Sequence, residues 1–160
     1  MTDFAVTWEL IRGRFDNELV GLNKEQLNWR LHPDALTIGE SALHVGGAEI
    51  NFVAQLLELE LDLWESKIRD AATDSIVNDK PFPFQPDEIE PDMVTRALAR
   101  AREIAGETIR NPSEVILNKR IVSVLGPIVD GRGALARLAY HPGYHQGQVH
   151  MIKTAPEFPS

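Results

Sequence analysis

A chain of 160 residues and 17.9 kDa, 43% hydrophobic and 25% charged, has the size and composition of one globular domain spanning residues 1–160. The absence of cysteine excludes disulfides, thiolate catalysis and sulfur-ligated zinc, so any metal must be held by His, Asp, Glu or backbone oxygen. A net charge of -8 without a Lys/Arg stripe argues against nucleic acid as a partner. No stretch reaches the roughly 18 apolar residues of a membrane span. The start, MTDFAVTWELIRGRF, lacks the basic flank and unbroken apolar run of a signal peptide. The expected location is the cytoplasm.

Taken in chain order, four segments carry helical periodicity. The first is predicted over Asp3–Gly21, with Phe4, Trp8, Ile11, Phe15, Leu19 and Leu22 on one stripe. Thr2 or Asp3 can cap its start and Gly21 suits its end. A connector follows from Asn23 to Leu36. The second helix is predicted from Thr37 to Lys67, opened by the capping box Thr37-Ile38-Gly39-Glu40. It is apolar on two sides: Ile38, Val45, Ala48, Phe52, Leu56, Leu59 and Leu63 form one line, and Leu43, Ile50, Leu57, Leu61 and Trp64 the other. That pattern fits either a crowded core or a dimer contact, and the dimer is preferred.

Prolines forbid regular helix in the loop Ala72–Pro91, whose Phe82 and Phe84 must cover something. They cover either the open end of the bundle or a packed crossover. The third helix is predicted over Asp92–Arg110, stopped by Asn111-Pro112. Glu114–Leu125 alternates apolar and polar residues and is expected to be extended, or a small hairpin. The fourth helix is predicted from Gly131 to Thr154. The expected fold is therefore an all-α four-helix bundle with long crossover loops.

The fourth helix holds the chemistry. His141 and His145 are four residues apart, so their imidazoles leave one helical face, together with Ala134, Leu138, Gln148 and Ile152. His150 falls on the opposite side. A His-x-x-x-His pair alone is also the pattern of polar helix histidines. Two observations favour a metal: the chain has only five histidines, two of them on this apolar face, and Pro142-Gly143 breaks the helix rule beside them. His44 flanks the core stripe of the second helix beside Ser41, Ala48 and Gln55. With the pair it gives three imidazoles, which leave a position for water, as catalytic metal sites do. Zinc, nickel, iron and manganese all accept such ligands. Glu49 falls near the centre of the core stripe, where a lone carboxylate is costly. It is either a general base or ligand-orienting acceptor at the metal, or half of a buried ion pair with Arg12 or Arg137. Gln148 can orient a ligand or bond to backbone.

Two stretches resemble the DinB-like superfamily, which includes the YfiT-type metal-dependent hydrolases and thiol-dependent S-transferases. One runs from Leu27-Asn28-Trp29-Arg30-Leu31-His32-Pro33 to Ala42-Leu43-His44-Val45-Gly46-Gly47-Ala48-Glu49. The other is Tyr140-His141-Pro142-Gly143-Tyr144-His145-Gln146-Gly147-Gln148. The resemblance covers nearly the whole chain. It implies one divalent metal ion on His44, His141 and His145 with water completing the shell, a low-molecular-weight thiol as co-substrate in the transferase branch, and a homodimer. Pro142-Gly143 departs from the pattern and puts a regular last helix in doubt. The leading expectation is a metal-dependent enzyme acting on a small molecule, either a thiol-dependent S-transferase or a hydrolase. The rivals are a non-catalytic dimeric stress or binding protein with a structural or vestigial metal, and a metal-free helical interaction module.

Overall fold

The computed structural model describes residues 2–160. Its long helices are α1 (Asp3–Leu19), α3 (Ile38–Leu57), α5 (Pro91–Arg110) and α7 (Gly131–Lys153), separated by the short helices α2 (Lys24–Asn28), α4 (Leu63–Asp70) and α6 (Glu114–Asn118). Strands β1 (Arg120–Val122) and β2 (Ile128–Asp130) pair as an antiparallel hairpin before α7. The fold is the expected all-α bundle. α1 lies along α7 and touches α5, while α3 lies along α5 and touches α7. α1 and α3 thus face each other across the centre, as do α5 and α7. Two connections, residues 20–37 and 111–130, therefore carry the chain between opposite corners.

Local chemistry sets the ends of these elements. Thr2 caps α1 through Ala5 N–H and ties it to α5 by donating to Ile109 O at 2.7 Å. The Thr37/Glu40 capping box forms at the start of α3, and Glu40 also accepts from Arg30 Nη2 at 2.6 Å. Pro91 opens α5, where its missing N–H costs nothing.

The second predicted helix does not run to Lys67. It ends at Glu58, which adopts the left-handed conformation at φ 55°, and α4 restarts under a new capping box between Asp62 and Glu65. The residues between explain the break. Leu57-Glu58-Leu59-Glu60-Leu61-Asp62-Leu63 alternates with a period of two, which gives a helix no single apolar face. Of the second apolar line, Leu43 and Ile50 are fully buried within the chain, so that part is core, while Leu57 is exposed; Leu59 and Leu63, the last two members of the first line, are exposed as well. α3 and α4 then fold back into close contact at Gly47. A Cβ there would stand 2.4 Å from Ile68 O and 2.8 Å from Ala72 N, so only glycine lets the two backbones meet.

Three other expectations are refined. Phe84 is buried in the main apolar cluster and Phe82 packs against it, so the proline-rich segment is a packed crossover. The segment 114–130 is a turn of helix followed by the hairpin, with only residues 120–122 and 128–130 extended. The last helix is continuous through Pro142, so the doubt about its regularity does not hold. Gly143 has a packing role there, because its Cβ would lie 3.0 Å from Ile11 Cγ2 on α1.

Candidate metal centre

The two helices α3 and α7 bring His44, His141 and His145 together. His141 Nε2 lies 3.1 Å from His44 Nε2 and 3.1 Å from His145 Nε2, and one nitrogen of each ring lies within 4.8 Å of the others. His44 and His145 are buried and His141 is half-buried. Two imidazole nitrogens sharing one tetrahedral or octahedral ion at about 2.1 Å stand roughly 3.0–3.4 Å apart, so the spacing fits a shared metal.

A shared metal accounts for the cluster better than hydrogen bonding alone. His44 Nδ1 lies 3.1 Å from Ala71 O, and a carbonyl only accepts, so Nδ1 carries the proton and Nε2 presents its lone pair. His141 Nε2 meets two other ring nitrogens at once, so an N–H there could serve them only as one shared, bent hydrogen bond. A cation reconciles three converging lone pairs. The Ala71 carbonyl fixes the tautomer and rotation of His44 in the way that backbone partners orient metal-bound histidines. Ala71 itself is held where α4 ends against Gly47.

Electrostatics keep the three rings neutral. Burial lowers the pKa of His44, against the opposing pull of the Ala71 and Ala72 carbonyls. Burial, and then the neighbouring His145 and His44, bring His141 down to about 2. Burial and His44 bring His145 to about 3, with Gln148 acting in the opposite sense. His145 Nδ1 has no hydrogen-bond partner among the described residues, which leaves one donor for a ligand or a rearranged Gln148.

These shifts carry a sign. Unfolded imidazoles take up protons near 6.5, the folded ones only far lower, so below pH 6.5 the unfolded chain binds more protons and stability falls. The metal-free protein is expected to lose on the order of 2 kcal/mol for each of His141 and His145 between pH 8 and pH 5. Urea unfolding across that range measures it, and a flat profile would contradict the neutral, desolvated cluster.

All three histidines line a cavity of about 1100 Å³ between α3, α7, the 31–36 connector, the 72–77 segment and the hairpin turn. Its wall is largely apolar, with Ala48, Phe52, Ile76, Val124 and Leu125 prominent, and exposed Tyr140 and Tyr144 lie at its mouth. Ser41, one turn before His44, lines the same cavity. Its hydroxyl is buried and has no partner among the described residues. Its position beside His44 was legible in the sequence as an i–3 neighbour, but serine is too common on helices to single out.

Glu49 is not part of this cluster. Its Oε1 accepts from Trp8 Nε1 at 2.8 Å and Arg12 Nε at 2.9 Å, both on α1 across the bundle, and it does not line the cavity. Burial pushes its carboxyl up, opposed by Arg12 and Trp8. Arg137, the other partner weighed for it, instead donates to Ser123 Oγ at 2.6 Å. Gln148 is exposed at the cavity edge beside His145, and His150 faces solvent as expected.

Among the described residues no helix is long and apolar enough to cross a membrane. Comparison with curated proteins gives no match. Among solved structures, the crystal structure of a conserved protein from Enterococcus faecalis superposes with a TM-score of 0.69 at 17% identity, over 94% of this chain and 95% of that one. At that identity the likeness speaks for the fold alone. The family model described as DinB superfamily matches residues 7–149, a span that takes in all three histidines, and the chain belongs to that superfamily.

Proposed function

We propose that the protein is a divalent-metal-dependent enzyme acting on a small molecule, with His44, His141 and His145 as its protein ligands. The observation that carries this is the convergence of three neutral Nε2 lone pairs on the wall of a cavity large enough for a substrate. Three protein ligands would leave a bound ion able to take a further ligand from the cavity. A metal held there supplies Lewis acidity, lowering the pKa of a bound water for hydrolysis or of a thiol for transfer to an electrophile. The chain contributes the rest. Ala71 O orients His44, the cavity wall around the cluster is largely apolar, and the buried Ser41 hydroxyl one turn before His44 has no partner among the described residues. Glu49, engaged by Arg12 and Trp8, is assigned to the core of the bundle rather than to proton transfer.

The absence of cysteine means that any thiol co-substrate must come from outside the chain. The reading places the enzyme in the cytoplasm and includes a homodimer, for which exposed Leu57, Leu59 and Leu63 offer apolar surface. The test is to strip the protein with a chelator, reload it separately with zinc, nickel, iron and manganese, and assay hydrolysis and thiol transfer. Turnover that returns with one equivalent of metal supports the proposal. A fold that collapses on chelation points to a structural ion instead. A chain that neither binds metal nor changes on chelation removes the enzyme reading.

A further inference from the structure

The cavity contains one cation that no other feature of the protein uses. Arg137 lies on α7 one turn before His141, so its side chain leaves the same helical face as the metal-binding pair. It is the one lysine or arginine lining the cavity, and among the described residues no carboxylate lies within 4.0 Å of it. The single acidic residue of the lining, Asp34, is exposed. In a chain of net charge -8, where most arginines find acidic partners, a half-buried guanidinium without one is an exception.

Its surroundings are built to receive an anion. Nη1 donates to Ser123 Oγ at 2.6 Å, and Ser123 is buried at 3% exposure on the hairpin. Ser123 Oγ also accepts the Leu125 N–H at 3.5 Å, so its hydroxyl proton is left to donate. Arg137 and Ser123 together present donors to one planar acceptor, the geometry a guanidinium favours with a carboxylate. Beside them stand Phe52, Val124 and Leu125.

We propose that Arg137 and Ser123 form the subsite for the carboxylate of an organic acid with an apolar body, whose reacting group reaches the histidine cluster, which begins at His141 about 6 Å further along α7. One guanidinium and one hydroxyl match a single negative charge. A phosphate dianion calls for more cationic donors than this wall provides. The proposal rests on the reading of the cavity as the substrate chamber of the proposed enzyme.

Calorimetric titration of the metal-free protein tests it, because without metal a carboxylate cannot bind simply by ligating the ion. The probes are hexanoate, hexanamide and hexyl phosphate. Hexanoate is expected to bind about 10-fold more tightly than hexanamide, as a charge-assisted pair in a half-buried site should. Arg137→Gln is expected to erase that difference, and hexanamide binding that persists in the variant shows that the cavity is intact. Arg137→Lys should restore part of the gain. Equal binding of acid and amide, retention of the preference in Arg137→Gln, tighter binding of hexyl phosphate, or no binding of hexanoate at millimolar concentration would each overturn the proposal. Metal uptake and turnover are measured on the same preparations. Arginine-dependent acid binding without metal uptake removes the enzyme reading and leaves this subsite; metal-dependent turnover with no preference for the acid does the reverse.

Discussion

Replacing His145 with alanine is expected to weaken zinc or nickel binding more than about 100-fold while leaving the helical content unchanged. Loss of an orienting partner alone costs 10- to 100-fold at metal sites, and this substitution removes a ligand outright. The fold should survive for two reasons. Alanine is the better helix former, and the substitution deletes an imidazole whose Nδ1 has no partner. The bundle also rests on an apolar core of Trp8, Phe15, Leu43, Ile50 and Leu135, to which the cluster adds little. Elemental analysis of untagged protein, with circular dichroism and thermal unfolding, reads both parts. Wild type should gain about 2.7 kcal/mol of stability at a metal concentration 100 times its Kd, and the variant close to none. Wild type that takes up no metal, or a variant that keeps it, would sink the site.

Breaking the ion pair at the centre of the bundle should have the larger effect on stability. Arg12 is fully buried, donates to Glu49 from α1 to α3, reaches Leu98 O on α5 at 3.1 Å, and also pairs with Asp16. Arg12→Leu strands the Glu49 carboxylate with Trp8 as its remaining partner, at an expected cost of about 3–5 kcal/mol. The pH dependence identifies the cause. Burial already raises the Glu49 pKa above its unfolded value, and removing the guanidinium raises it further. A carboxyl with a raised folded pKa is least costly when protonated, so the deficit relative to wild type should shrink as pH falls toward 4.5 and grow as pH rises. The double replacement Arg12→Leu with Glu49→Leu should recover much of the loss, because no isolated charge remains. A deficit independent of pH would mean that lost packing dominates. The double variant also tests Glu49 for chemistry: metal uptake and turnover should both persist, and retained metal with lost turnover would return Glu49 to the reaction.

Much of the fold was legible because each long helix advertises itself locally. Thr37 and Glu40 read as a capping box and form one, Asn111-Pro112 stops α5, and the stripes of α1 and α5 face the core. The three histidines were legible because two share a helical face and few others exist. The break after Leu57 was missed because apolar residues at every second position were counted into helical stripes that they serve poorly. The ion pair of Glu49 with Arg12 was one of two alternatives the sequence left open, because spacing along one helix cannot choose between partners on other corners of the bundle, and Arg12 lies 37 residues away. Ala71 was invisible for a deeper reason. It acts through its backbone carbonyl, and nothing in an alanine side chain marks that role.

The hairpin beside the chamber is a small unit of its own. Two three-residue strands meet at a turn through Gly126, whose φ of 96° suits glycine. Gln55 on α3 holds the outer strand by bonding to both the N–H and the C=O of Val122, so a side-chain amide stands in for a third strand. Neither the histidines nor their supporting carbonyl belongs to this unit. Residues inserted or lost at the turn would reshape the chamber while leaving the three histidines in place. The arrangement sets a histidine cluster anchored on two long helices beside a wall that can change independently of it.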